Sequence, residues 1–208
     1  MLILLRNFML IRSIGRCFRK GRPELLYGIC RRYKREIFRD VTQWKCSGAL
    51  EGHQLLGLAR AYEMVHSSDA LALSLLHDEP NVLKGREKLE VLYGRLSSPS
   101  AEDYTIVEDM LIEIGVPKSY GQYMLLIDCL GVAVRSLYSR GFYDDAGKIN
   151  GQGISISDVC MDLFSKKMFL NNYIVIERSM DKNGDGVRIG AALSQMEHLD
   201  KVMRGSNA

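Results

Sequence analysis

The sequence predicts an all-α protein, a compact helical bundle of about seven or eight helices. Three observations support this fold class. Apolar residues recur at three- and four-residue spacing along most of the chain, helix start and stop signals separate these stretches, and ten methionines accompany few runs rich in β-branched residues. The hydrophobic fraction of 47% with only four prolines excludes a disordered chain. At 208 residues, the chain can form one large or two small domains.

The first 22 residues contain no acidic residue and predict a basic amphipathic helix. Arg12, Arg16 and Arg19 recur at helical spacing. Leu4, Phe8, Ile11 and Ile14 can share the opposing apolar face. Arg6 and Arg12 interrupt the apolar run, which is therefore shorter than the about 20 residues that a membrane span needs.

Four interpretations of this basic helix remain open. It could be a first core helix with a solvated basic face, or it could contact an anionic membrane surface or a nucleic acid. An Arg-rich leader without acids also resembles an organelle import sequence.

The five cysteines are widely spaced and form no CxxC motif, which predicts buried free thiols in a reducing, cytoplasmic setting. Organelle import is the alternative location.

A second basic helix is predicted to begin at Pro23 and to carry the apolar pattern of Leu25, Leu26, Ile29, Tyr33 and Ile37. Residues 1–40 hold eleven Lys or Arg and three acids, a net charge of +8, so the rest of the chain carries −5 of the total +3. This balance predicts a basic N-terminal helical segment over residues 1–45, followed by a helical domain over residues 46–208. The candidate anion-binding or partner-binding residues of the N-terminal segment are Arg12, Arg16, Arg19, Arg31, Arg32 and Arg35.

Capping residues and glycines predict the helices that follow. The stretch from Leu50 to His77 is predicted as two helices broken near Ser67-Ser68, and the later helices are predicted at 82–96, 100–115, 119–140, 157–180 and 193–202. The helix at 119–140 is apolar around nearly its whole circumference, so we expect it at the centre of the core. The Ser-Pro-Ser cluster near residues 97–100 predicts a sub-boundary within the larger domain.

Oxygen-bearing side chains stand at alternate positions in the stretch DKNGDGVRIG, at Asp181, Asn183 and Asp185, and Gly186 follows. This stretch, 181–192, resembles an EF-hand calcium loop. The resemblance implies Asp181, Asn183 and Asp185 as ligands and the carbonyl of Val187 as a fourth. Position twelve, where the family has a bidentate carboxylate, is Ala192, so any calcium affinity should fall to the weak end of the family's range.

A second copy of the Asn-Gly-x-Gly pattern lies 33 residues earlier, at Asn150 to Gly153. EF-hands occur in pairs, so residues 148–159 would be a ligand-poor partner loop. A short two-stranded ribbon is then expected between Ile154–Ile156 and Val187–Ile189. The pattern is equally typical of a plain structural turn, because Asn-Gly and Asp-Gly accept positive φ. A structural turn, a degenerate pair without useful affinity and a working calcium site all remain open.

No catalytic motif stands out, because the chain has no P-loop, no GxSxG and no kinase signature. The sequence therefore predicts a non-enzymatic, regulatory or protein-interaction protein, whose partner is another protein and which needs no cofactor beyond weak calcium. The alternative is a protein that binds nucleic acid or an anionic membrane through its basic N-terminal residues 1–40.

Overall fold

The computed structural model describes residues 2–76, 119–180 and 186–205. Within these ranges the protein is all-α, which confirms the predicted fold class, and contains nine helices and no strand. The helices are α1 (Leu2–Lys20), α2 (Pro23–Arg32), α3 (Lys34–Cys46), α4 (Gly52–His66), α5 (Ala70–Leu76), α6 (Tyr120–Ser139), α7 (Tyr143–Cys160), α8 (Leu163–Met180) and α9 (Gly186–Arg204). Their number is higher than predicted. The helices predicted at 82–96 and 100–115, and the sub-boundary near 97–100, lie outside the described residues.

Helix α6 lies at the centre of the core, as its apolar circumference predicts. Its buried side chains include Leu130, Val134 and Leu137, and it packs against α4, α7 and α8. The hydroxyl oxygen of Ser119 accepts a hydrogen bond from the amide of Gln122 at 3.2 Å, which satisfies one of the free amides at the helix start. Gly141 follows the helix with a φ of +83°, which ends it at the predicted place.

Residues 148–157, predicted as a loop, lie inside helix α7. The prediction of a partner loop at 148–159 is therefore wrong, and packing against α8 explains why. Asn150 is fully buried and donates a hydrogen bond to the carbonyl of Phe169 at 2.9 Å. Gly153 has no side chain, so the ring of Phe169 can lie directly on α7. Tertiary contacts here outweigh the local turn preference of Asn-Gly-x-Gly.

The predicted two-stranded ribbon is also wrong. Ile154 and Ile156 belong to α7, and Val187 and Ile189 belong to the first turn of α9, which begins at Gly186. Three of these side chains, Ile154, Ile156 and Ile189, are partly buried against the core from their helices. The apolar–polar–apolar spacing that indicated strands therefore serves two helix faces instead.

The helix predicted at 157–180 begins later, at Leu163, because Asp162 provides the N-terminal cap. The carboxylate of Asp162 accepts hydrogen bonds from the amide of Ser165 at 3.1 Å and from its hydroxyl at 2.6 Å. Met161, at a φ of +51°, turns the chain between α7 and α8. The sequence predicted a cap at Ser157, which is instead buried within α7.

Helices α1 to α3 belong to the same continuous core as the rest of the described chain. Leu10, Ile14 and Cys17 contribute from α1, and Trp44 contributes from α3. The indole N–H of Trp44 donates to the side-chain oxygen of Asn7 at 3.0 Å, which fixes the rotation of α1 about its axis. None of the described helices has the length and apolarity that crossing a membrane requires.

Candidate partner-binding groove

A groove of about 560 Å³ runs between α1 and α2 on the protein surface. The turn that joins the two helices places them side by side. Gly21 adopts a φ of +58°, its amide donates to the carbonyl of Phe18 at 3.2 Å, and the amide of Arg22 donates to the carbonyl of Cys17 at 3.0 Å. Pro23 then starts α2, where its missing N–H costs no hydrogen bond.

Apolar side chains form the floor of this groove. Leu10 and Cys17 are buried, whereas Met9 is 54% exposed and Leu25 is 49% exposed. Gly28 contributes no side chain, and a Cβ added there would meet no atom within 4 Å. The described residues that line the groove are Arg6, Met9, Leu10, Ser13, Arg16, Cys17, Glu24, Leu25, Gly28, Ile29, Arg32 and Tyr33. The described part of the chain thus leaves apolar area of this groove exposed.

Arginines lie at both ends of the groove. Arg6 and Arg32 lie at one end, where their guanidinium groups lie 5.8 and 5.5 Å from the centre of the Tyr33 ring. Arg6 also pairs with Glu36 of α3. Arg16 lies at the other end. Neither Arg16 nor Arg32 forms an ion pair with any residue in the described ranges.

Among the described residues that line the groove, Glu24 is the one acidic residue, and its carboxylate lies 3.4 Å from the guanidinium of Arg22. The electrostatic character of the groove is therefore positive at both ends and uncharged in the middle. Such an arrangement suits a ligand with an apolar centre and negative ends.

The structure divides the six arginines predicted as partner-binding. Arg16 and Arg32 line the groove. Arg12 and Arg19 are exposed elsewhere on α1, and Arg35 is exposed on α3. Arg31 has a contact within the fold, because its guanidinium donates to the carbonyls of Val202 and Met203 at 3.1 and 2.9 Å, at the end of α9. One helix thus carries adjacent arginines with different surroundings.

The apolar floor of the groove was not predicted from the sequence. The apolar pattern from Leu25 to Ile37 predicted a single helix, whereas the chain bends at Tyr33, whose φ and ψ are −118° and 37°. Phe8 and Ile14 were predicted to share one apolar face of α1, whereas Ile14 is buried and Phe8 is 60% exposed. The available signal was Gly28, because a glycine in the interior of a helical pattern costs about 1 kcal/mol relative to alanine and leaves a gap in the side-chain surface.

Only one of the four predicted calcium ligands, Val187, lies in the described part of the chain. Asp181, Asn183 and Asp185 lie outside the described residues. Val187 is in the first turn of α9 with its side chain 81% exposed, and Ala192 is buried on the same helix. Residues 2–76, 119–180 and 186–205 contain no cluster of three or more His, Cys, Asp or Glu side chains suited to a metal ion. The calcium loop stays a prediction.

A buried polar cluster lies apart from the groove and joins α4 to the start of α8. The Nε of Arg60 lies 3.5 Å from the carboxylate of Asp162, which has no exposed side-chain area. Burial raises the pKa of Asp162, while Arg60 and the hydrogen bonds from Ser165 oppose that rise. Burial also raises the pKa of the neighbouring Tyr120 to about 12. Asp162 and Tyr120 are fully buried and Arg60 is 19% exposed, so this cluster mainly joins α4 to the start of α8.

Comparison of the chain with protein-family models, with curated proteins and with solved structures gives no match.

Proposed function

We propose that this protein is a non-enzymatic protein-interaction protein that binds an acidic partner protein in the groove between α1 and α2. One observation carries the proposal. An apolar floor with half-exposed Met9 and Leu25 is combined with Arg16 and Arg32, which form no ion pair within the described chain. Methionine and arginine are enriched at protein interfaces, where apolar contacts are surrounded by a polar rim.

A protein partner fits the groove better than a nucleic acid does. Sequence-tolerant binding of single strands needs open aromatic faces on which bases stack. Tyr33 is the one aromatic residue among the groove residues that the structure describes, and the guanidinium groups of Arg6 and Arg32 already lie over its ring. The middle of the groove offers methylene and thioether groups, which favour an apolar side chain over a phosphate.

A peptide-display selection tests the proposal. The unmodified protein and its Gly28→Leu variant are each used as bait for a random peptide library. The Cβ of a leucine at position 28 would meet no atom within 4 Å, and the rest of its side chain would occupy part of the groove. We expect the unmodified protein to enrich peptides with apolar residues flanked by acids, and we expect Gly28→Leu to lose them.

Arg35→Glu is the matched control, since Arg35 is exposed outside the groove. This variant should select the same peptides as the unmodified protein. Enrichment that survives Gly28→Leu, or no enrichment by any form, would contradict the proposal. Circular dichroism of each bait checks that the helices are intact.

A second candidate function, binding to polyanions or anionic membranes, is favoured by the exposed face of α1. Arg12, Arg16, Arg19 and Lys20 are exposed in a stretch without acids, and Leu5 and Phe8 are 61% and 60% exposed beside them. Affinity for heparin or for vesicles containing phosphatidylserine should then fall steeply with salt. Reversal of Arg12 and Arg19 to Glu should abolish this binding, whereas Gly28→Leu should leave it unchanged.

A further inference from the structure

We infer that the occupant of the groove is an amphipathic α-helix of the partner, with its apolar residues over Gly28 and its carboxylates at Arg16 and Arg32. This inference rests on the proposed function and specifies the partner's shape and register. Three observations support it: the length of the groove, the separation of its charges and the helical character of its walls.

The length of the groove matches about three turns of helix. Along α1 the lining runs from Arg6 to Cys17, a rise of about 16 Å at 1.5 Å per residue. An occupying helix of about eleven residues covers that distance. Carboxylates about seven to eleven residues apart on one face of the occupant can then reach both ends of the groove.

The charges of the groove are separated by an uncharged middle. Arg16 and Arg32 lie toward opposite ends, and Met9, Ile29 and Gly28 lie between them. A carboxylate at each end would form charge-assisted hydrogen bonds with a guanidinium group, for which arginine is well suited. Glu24 lies beside Arg22, and this pairing lessens its repulsion of an acidic occupant.

The walls of the groove favour a helix over an extended segment. Both walls are helices, and the described residues contain no strand to which a peptide could add by main-chain pairing. Side chains of a helix at positions i, i+3, i+4 and i+7 form a ridge that fits between two such walls. Gly28 lowers one wall at the centre, which gives the largest apolar residue of that ridge a place to lie.

A designed peptide probe tests the inference by fluorescence anisotropy. The probe is a three-turn amphipathic helix with leucines at the central i and i+3 positions and glutamates near both ends. The first comparison peptide has a central proline, which breaks the helix but keeps the charges. The second has its leucines replaced by serine. We expect the probe to bind at least about tenfold more tightly than either, a difference of about 1.4 kcal/mol or more.

Variants of the protein locate the bound probe. Gly28→Leu, Arg16→Glu and Arg32→Glu should each weaken binding at least about tenfold. Arg19→Glu and Arg35→Glu make the same charge reversal outside the groove, and each should weaken probe binding less than about threefold. A probe with lysine in place of the glutamate at one end should regain affinity for Arg16→Glu or for Arg32→Glu, which would identify the end that each arginine contacts.

The outcomes separate this inference from the proposed function. If the proline peptide binds as tightly as the probe and Gly28→Leu still abolishes binding, the groove is a protein site but the helical occupant is wrong. Binding that is insensitive to Gly28→Leu would overturn both. Failure of the probe, together with binding to phosphatidylserine vesicles that Gly28→Leu does not change, would assign the basic surface to lipid instead.

Discussion

Gly153 allows helix α7 to lie against the ring of Phe169. A Cβ at this position would meet the Phe169 Cε1 atom at 2.4 Å, and Phe169 is fully buried, so the ring has no space into which to move. We expect Gly153→Ala to lower the free energy of unfolding by about 1 to 3 kcal/mol, the usual cost of overpacking a core. Urea denaturation followed by circular dichroism measures the change.

Gly151 provides the matched control on the same helix. A Cβ there would meet no atom within 4 Å. Gly151→Ala should therefore raise the free energy of unfolding by about 0.5 to 1 kcal/mol, since alanine loses less backbone entropy than glycine in a helix. Equal effects of the two substitutions would show that α7 and α8 do not pack as described.

Thiol reactivity should distinguish Cys46 from the other four cysteines. Cys46 is exposed, whereas Cys17, Cys30, Cys129 and Cys160 are buried and free. Burial raises the pKa of Cys30 and of Cys129 to about 12 and also raises the pKa of Cys17 and Cys160, so little thiolate forms at neutral pH. We expect a thiol reagent to modify one cysteine rapidly in the native protein and all five in denaturant.

Cys46→Ser should remove the rapid reaction and leave the slow phase unchanged. Rapid modification of a second thiol in that variant would show that one of the buried cysteines is accessible in solution.

At the scale of the element, Arg31 joins the end of α9 to α2. Its guanidinium donates to the carbonyls of Val202 and Met203 in the last turn of α9, and the amide of Gly205 also donates to the Val202 carbonyl at 3.2 Å. We expect Arg31→Ala to lower the free energy of unfolding by about 1 to 2 kcal/mol, because two charge-assisted hydrogen bonds are lost from a partly exposed site. Thermal unfolding measures the loss.

Arg35→Ala is the matched control for Arg31→Ala. Arg35 is exposed and lies four residues after Arg31, on helix α3. It should change stability by less than about 0.5 kcal/mol. Hydrogen exchange adds a second readout, because Arg31→Ala should accelerate exchange at the C-terminal end of α9. Unchanged exchange there would contradict the assigned contact.

At the scale of the whole molecule, α1 is part of the core, so deleting residues 1–22 should do more than remove a basic surface. The deletion removes Leu10, Ile14 and Cys17 from the core. It also exposes Trp44 and removes Asn7, to which the indole N–H of Trp44 donates in the intact protein. We expect loss of cooperative unfolding. Burial of each large apolar side chain contributes about 1.5 to 3 kcal/mol, whereas the net free energy of unfolding of a whole domain is only about 5 to 15 kcal/mol.

Calorimetry and tryptophan fluorescence measure this effect. A truncated protein that still unfolds cooperatively, with a blue-shifted Trp44 emission, would show that α1 is an appendage. For this reason, charge reversals at Arg12 and Arg19 test polyanion binding better than deletion does.

The sequence by itself determined the all-α class and the position of the central helix. Apolar residues surround the helix predicted at 119–140, Ser119 caps its start and Gly141 follows its end. These local signals are enough to predict a buried helix and its ends. The break between α4 and α5 near Ser67-Ser68 was likewise predicted from local turn chemistry. The basic character of the N-terminus also follows directly from composition.

Tertiary structure alone decided α7, the bend at Tyr33 and the groove. Asn150 and Gly153 favour a turn when considered locally, and only the hydrogen bond to Phe169 and the close approach of its ring make a helix the better solution. The same holds for the arginines: Arg31 and Arg32 are adjacent and chemically identical, yet one bonds to the end of α9 and the other lines the groove. The surroundings of each arginine depend on residues that are close in space but distant in sequence, and the sequence pattern does not show which residues these are.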